Sequence, residues 1–227
     1  MKYEKLLIFL MPILLVIMAI LGYIKLINND DDSIKFKKEY EKLNSSEEYY
    51  KISIAEKNQV KYSSYKQIFN VLKNSTGIIY FGYPEDNNSR FAIETLLNVI
   101  EDNKIDTTVY YLDIHSDRDS YTIENNKLVY EKDSNGNEIE GTKEYFGLMS
   151  YLDKFLGEYV LYFEDEEYNT NEKRIPIPAI IFVKDGNILG LEYGSIDIEY
   201  EDLYSIYEDY VLEMYSSTCD TNAVDPC

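Results

Sequence analysis

The sequence is poor in the residues from which most enzyme centres are built. Its 227 residues include two cysteines, one histidine, five prolines and ten glycines. The cysteines are Cys219 and Cys227, eight positions apart, so the chain has no Cys-x-x-Cys pair anywhere. The lone histidine, His115, cannot form a histidine metal centre. With no nucleophile or metal partner around it, it reads as a surface residue following a strand. No glycine-rich phosphate loop and no Gly-x-Ser-x-Gly elbow occurs. Basic residues are also scarce: 22 Lys and Arg stand against 42 Asp and Glu, for a net charge of −20. Such a surface repels nucleic-acid phosphate, and no Lys/Arg stripe offsets it, which excludes nucleic acid as the partner. The same acidity fits solubility at a charged cell surface, or a docking face for a basic partner. Asp133, Asn135, Asn137, Ile139 and Glu144 fall at positions 1, 3, 5, 7 and 12 of a calcium loop, but the glycine stands at position 4 instead of 6. A polar turn before a helix start accounts for them as well. No metal and no cofactor is expected.

What is present is apolar and aromatic. Apolar residues make up 45% of the chain, with 24 Tyr and 9 Phe, enough for one folded domain with a real core. Leu6 to Ile24 is an unbroken run of 19 uncharged residues. As a helix it would extend roughly 28 Å, about the thickness of a bilayer's hydrocarbon core. Lys2 and Lys5 precede the run, while Lys25 and then Asn28 to Asp32 follow it. The positive-inside rule places the N-terminus in the cytoplasm and the rest of the chain outside. A cleaved signal peptide is the competing reading. The run is long for a signal h-region and no small-x-small site follows it, so an uncleaved single-pass anchor is favoured. The chain divides into this anchor (1–28), a juxtamembrane stalk or helix (29–48), one α/β domain (49–216) and a tail with the cysteine pair (217–227).

Periodicity gives the expected elements. In the stalk, Ile34, Phe36, Tyr40 and Leu43 are loosely spaced on one helical face. Tyr49 to Ile54 alternates like a strand. Tyr65, Ile68, Phe69 and Leu72 mark an amphipathic helix that Ser63 or Ser64 would cap. Ile78 to Phe81 reads as a strand buried on both faces, and Ile93, Leu96, Leu97 and Ile100 as the next helix. Thr107 to Ile114 is β-branched and aromatic, hence a strand. Residues 116–142 are irregular, with a hairpin in which Leu128-Val129-Tyr130 and Glu138-Ile139 flank a turn at Asp133 to Asn137. Tyr145 to Leu156 is helical and Tyr159 to Phe163 a strand, while Glu164 to Glu167 is a solvated acidic face. Pro178 to Val183 and Ile188 to Tyr193 form a hairpin about Lys184 to Asn187. A tyrosine-rich stripe from Tyr200 to Met214 closes the chain as a helix. Early β-α-β alternation followed by a late hairpin predicts a mixed sheet flanked by helices.

The stretch Gly77 to Arg90, GIIYFGYPEDNNSR, runs from apolar strand through loop to helix. This layout resembles the active-site segment of thioredoxin-like proteins. Ile175 to Gly186 resembles that family's cis-proline, apolar strand and Lys-x-Gly turn, with Pro178 at the cis-proline position and Ile177 before it. More closely, the chain is similar to membrane-attached extracytoplasmic thioredoxin-like proteins of Gram-positive bacteria, a group related to bacteriocin transport accessory proteins. The matching pieces are FKKEYEKLN (36–44), TGIIYFGYPE (76–85), Arg90, EGTKEY (140–145), IPAIIFVKDG (177–186) and a Cys-Asp-containing tail. The resemblance spans roughly residues 36–227.

The departures bear most on function. Asp86 and Ser89 stand where the resemblance puts the two cysteines, and Tyr80 stands where it puts a buried acid. A carboxylate at a helix start is stabilised by the same field that activates a thiolate, yet it cannot attack a disulfide. The segment therefore reads as helix capping, with Ser89 or Asn88 as the N-cap. The resemblance implies a redox-dead thioredoxin-like domain that binds a partner protein or peptide outside the cell or in the membrane. Tyr83, Asp86, Arg90, Ile177 and Pro178 would form the binding edge. The alternative is a thiol-disulfide oxidoreductase using Cys219 and Cys227. Two extracytoplasmic thiols so close in sequence are expected to pair, either as a structural clasp of the tail or as a redox-active couple.

Overall fold

The computed structural model describes residues 32–124, 127–163 and 166–216. The apolar run at Leu6 to Ile24 and the pair Cys219 and Cys227 lie outside them. Among the described residues, no helix is long and apolar enough to cross a membrane.

The fold is mixed α/β. A five-stranded sheet runs in the order β1 (Val60–Tyr62), β3 (Val109–Leu112), β2 (Gly77–Phe81), β8 (Ala179–Lys184) and β9 (Asn187–Glu192). The first three strands are parallel, and β8 and β9 join antiparallel. Parallel neighbours need crossovers, which α2 (Tyr65–Asn74) and α3 (Asn87–Asp102) supply. The other helices are α1 (residues 32–41), α4 (Lys143–Leu152) and α5 (Tyr200–Tyr215). Two hairpins stand apart from the main sheet, β4 (Tyr121–Glu124) with β5 (Lys127–Tyr130) and β6 (Glu158–Phe163) with β7 (Glu166–Lys173).

The two-residue period of the strands builds two cores. Ile78 and Tyr80 of β2, with Ile180 and Phe182 of β8, point to one face and pack with α1, α3 and α5. Ile79 and Phe81, with Ile181 and Val183, point to the other and pack with α2 and α4. Every residue of β2 is buried, as its unbroken apolar run requires. The β8–β9 turn places Asp185 and Gly186 at φ 51° and 75°, and Gly186 is sterically obligatory, because an added Cβ would lie 2.4 Å from the Lys73 carbonyl oxygen.

Of the segment 29–48, read as a stalk or helix, residues 32–41 form helix α1. Helix α1 lies against the sheet with Phe36 and Tyr40 fully buried, Phe36 against Tyr111 at 5.0 Å between ring centroids. Ile34, expected on the apolar face, is exposed, and Ser33 is buried in its place. The ring stripe of Phe36 and Tyr40 sets the inward face, so α1 contributes to the core of the domain.

The segment 49–54 also departs from expectation. Ile52 and Ile54 alternate inward as in a strand, but no neighbouring strand receives them. Their amides donate instead to side chains: Tyr50 N to Asn87 Oδ1 at 2.6 Å, Ile52 N to Asn44 Oδ1 at 3.0 Å, Ser53 N to Glu94 Oε1 at 2.7 Å and Ile54 N to Glu41 Oε1 at 2.9 Å. Once side chains satisfy the backbone, no ladder is needed.

Leu128 to Tyr130 pairs upstream with β4, whereas Asp133 to Asn137 forms the expected turn further on. Asp133 Oδ1 accepts from the amides of Asn135 and Asn137, and Oδ2 from Asn137 Nδ2. These bonds make it a turn residue, and no metal-ligating cluster of three acidic, Cys or His side chains occurs among the described residues. Glu166 and Glu167, read as part of a solvated face, open β7.

Candidate functional site

The sequence directs attention to the loop between β2 and α3. Strand β2 ends at Phe81 opposite Ala179, so Gly82 lies beside Pro178 at the same end of the sheet. The Ile177–Pro178 peptide is cis. Gly82 cannot be larger, because its Cβ would fall 2.1 Å from the Tyr80 hydroxyl.

That hydroxyl is part of a buried relay. Tyr80 Oη donates to the Ser89 carbonyl at 2.9 Å and sits 3.0 Å from Tyr40 Oη, which must then be the donor between the two phenols. Burial, reinforced for Tyr40 by the neighbouring phenols, pushes both hydroxyls well above the ordinary tyrosine range. A neutral hydrogen-bonding group therefore stands where the resemblance puts an acid.

Helix α3 starts at Asn87 with Asp86 as its N-cap, not Ser89 or Asn88. Asp86 Oδ2 accepts from Ser89 N at 2.6 Å. A carboxylate there answers both the free amide and the positive end of the helix dipole, which stabilises a helix by about 1 kcal/mol. The next two side chains act alike on other segments. Asn87 Oδ1 accepts from Tyr50 N, and its Nδ2 donates to the Glu48 carbonyl at 3.1 Å. Asn88 Oδ1 accepts from Ile196 N at 3.0 Å, tying down the loop before α5. Ser89 is fully buried and its hydroxyl has no partner.

Arg90 completes this arrangement from inside. It is wholly buried. Its Nε donates to the Tyr50 carbonyl at 2.5 Å, Nη1 to the carbonyls of Tyr40 and Pro84 at 2.6 and 3.2 Å, and Nη2 to Asn44 Oδ1 at 2.6 Å. One guanidinium thus joins α1, the 49–54 segment and the 82–86 loop. Burial lowers its pKa, and nearby phenols and carboxylates oppose the change. Arg90, expected at the binding edge, is enclosed and acts as an internal clamp. Pro178 is likewise buried.

Of the expected edge, Tyr83 and Ile177 remain half-buried and accessible, with Asp86 half-buried in its cap. The Tyr83 ring lies against His115 at 4.3 Å. Burial and then Asp86 raise the Tyr83 phenol, while Arg118 opposes them. Beside the loop, the carboxyl ends of β1 and β3 and the end of α1 enclose a cleft of about 500 Å³. Tyr62, Pro84, Glu85, Tyr111 and Asp113 line it, with Glu39 and Lys42 at its edge. Burial raises the Asp113 carboxyl, and the His115 amide and ring oppose that. Such crevices beyond the carboxyl ends of strands are the usual ligand position in open α/β sheets. The cleft was not foreseen, because the packing of α1 against the sheet leaves no local signal in the sequence.

A second polar cluster was missed altogether. Arg174 Nη2 donates to Asp119 Oδ1 at 2.7 Å, both residues being buried. Arg118 and Tyr145 adjoin them. In the sequence these residues are scattered over 57 positions and share no motif.

Comparison of the chain with family models, with curated proteins and with solved structures finds no match in any of the three.

Proposed function

We propose that the chain carries a thioredoxin-like domain in which structural residues have replaced the dithiol, and that it binds a protein or peptide outside the cell from a single-pass membrane anchor. The observation that carries the loss of chemistry is local. Asp86, Asn87 and Asn88 each accept a backbone amide, from Ser89, Tyr50 and Ile196 respectively. Side chains committed in this way hold the loop and catalyse nothing.

The strand order β1-β3-β2-β8-β9, with Pro178 in a cis peptide beside the loop, supports the thioredoxin-like reading. The anchor rests on the apolar run of Leu6 to Ile24 and its charge asymmetry. Binding would use Tyr83, Ile177 and the adjoining cleft. Glu39, Glu85 and Asp113 outnumber Lys42 there, which favours a segment carrying a basic side chain.

The test is crosslinking of the full chain in its native membrane, read by mass spectrometry, with Tyr83→Ala and Glu85→Lys as variants. Partners captured by the wild type should be depleted at least fivefold by either substitution. Capture unaffected by both would refute the binding surface. An insulin-reduction assay in parallel should show no turnover. Turnover abolished by Cys219→Ser would replace this reading with the oxidoreductase.

A further inference from the structure

Six buried side-chain nitrogen or oxygen atoms among the described residues lack a hydrogen-bond partner, and three of them lie in one cluster: Arg118 Nε, Arg174 Nε and Tyr145 Oη. The three residues come from different elements. Arg118 follows a 3-10 turn (His115–Asp117) after β3, Tyr145 lies in the first turn of α4, and Arg174 leads from β7 towards β8. Arg174 is used on one edge by Asp119, and the rings of Tyr159 and Tyr121 flank it at 4.6 and 5.5 Å. Its Nε edge is left over. Arg118 makes no ion pair among the described residues; its main electrostatic neighbours are Arg174, Tyr145 and Tyr159, and its guanidinium is within hydrogen-bonding reach of the Tyr145 oxygen, whose own O–H is left as a donor. Asp119 pairs with Arg174 alone, so the Arg118 charge has no carboxylate paired with it among the described residues, in a chain of net charge −20.

Buried polar groups are almost always paired, and a buried charge without a counter-ion is strongly unfavourable. We propose that Arg118, Arg174 and Tyr145 form an oxyanion site that takes a carboxylate. Three features select that chemistry. Arginine Nε–H and phenol O–H are donors only to such a group, and a carboxylate offers about four acceptor positions. One negative charge neutralises the excess. A dianion such as phosphate would leave net negative charge against Asp119, and water would satisfy the donors but not the charge. Arg118 is only half-buried, so the cluster is open on its side. The site does not depend on the thioredoxin-like reading.

The experiment is thermal unfolding of the full chain at constant ionic strength, with sodium acetate replacing sodium chloride. Acetate should raise Tm saturably, by roughly 3–6 °C at tenfold excess over its dissociation constant. Arg118→Met should abolish that rise. A glycine tripeptide with a free C-terminus, compared with its amide, distinguishes the sources. A free acid that binds at least tenfold tighter than acetate assigns a peptide terminus, and equal binding assigns a small carboxylate. Saturation-transfer NMR of the acetate methyl group on the wild type needs no variant and should give a signal that the free-acid peptide displaces. A Tm rise that chloride or inorganic phosphate reproduces, a rise that Arg118→Met retains, or no transfer to acetate would each overturn the site.

Discussion

Arginines are buried on both faces of the sheet, and the two places differ in what surrounds them. On the α1–α3–α5 face, Arg90 has no carboxylate partner but meets four acceptors, three of them backbone carbonyls. On the α2–α4 face, Arg174 has a carboxylate, yet it and Arg118 keep unpaired Nε atoms. A saturated cation fixes structure, because each of its donors holds one segment in place. An unsaturated pair is a position where something else fits. The helix start that the resemblance aligns with a dithiol belongs to the first kind, and the proposed carboxylate site belongs to the second.

The strongest way to break this comparison is Arg90→Met. It leaves the Tyr40, Tyr50 and Pro84 carbonyls without this donor in the interior, while Asn44 Oδ1 keeps only the Ile52 amide. Each orphaned buried group costs about 1–3 kcal/mol. The expected loss is about 4 kcal/mol or more in urea unfolding, enough to leave a domain of ordinary stability marginal. A loss below about 1 kcal/mol would mean that water enters easily and that Arg90 is no clamp.

The opposite face responds differently. Asp119→Asn removes the only carboxylate paired with Arg174 in the cluster. Burial alone would lower the Arg174 guanidinium; Asp119 first, and then Tyr145 and Tyr159, together more than reverse that. Without it, two cations face each other with no counter-charge, and stability should fall by about 2–3 kcal/mol in urea unfolding. Added acetate should recover part of that loss. A variant as stable as the wild type without added anion would show that the two guanidiniums are well hydrated, and the contrast with Arg90 would vanish.

How much of this was legible follows from the kind of signal each part leaves. Strand β2, the helices α2 and α5 and the β8–β9 hairpin follow from apolar period and turn chemistry, which are local. Helix α1 was recognised as a possible helix, but its burial was not. Phe36 and Tyr40 look the same on a stalk as in a core until β3 presents Tyr111 to them. The 49–54 segment has strand periodicity, and only long-range partners such as Asn87 and Glu94 show that side chains complete it. Strand β7 is masked by its acidic residues, since two-stranded hairpins need no apolar run. The site divides in the same way. Asp86 as a cap was within reach of local rules, whereas the roles of Arg90 and Arg174 depend on contacts 46 and 55 residues away. One signal was available: the chain holds only three arginines, at 90, 118 and 174, among its 22 basic residues. In a lysine-rich chain, arginine marks positions where a fork of donors is needed and a point charge does not serve.

The finest distinction concerns Tyr50, which belongs to the saturated face. Its amide and carbonyl are held by Asn87 and Arg90, and its hydroxyl donates to Glu94 at 2.9 Å. Burial first, and then Glu94, push its phenol up to about 12. A folded value above the unfolded one, near 10, means that its stabilisation is complete below about pH 10 and is lost as pH rises through about 12. Tyr50→Phe should therefore cost about 0.5–1 kcal/mol at pH 8, the usual net worth of one partly exposed hydrogen bond. The gap between variant and wild type should close between pH 10 and 12, as read from urea midpoints across that range. Glu94→Gln should cost more, because Glu94 also accepts the Ser53 amide, and should weaken the pH dependence. A gap that stays constant with pH would mean the phenol packs without donating, and Tyr50 would then be held by its backbone alone.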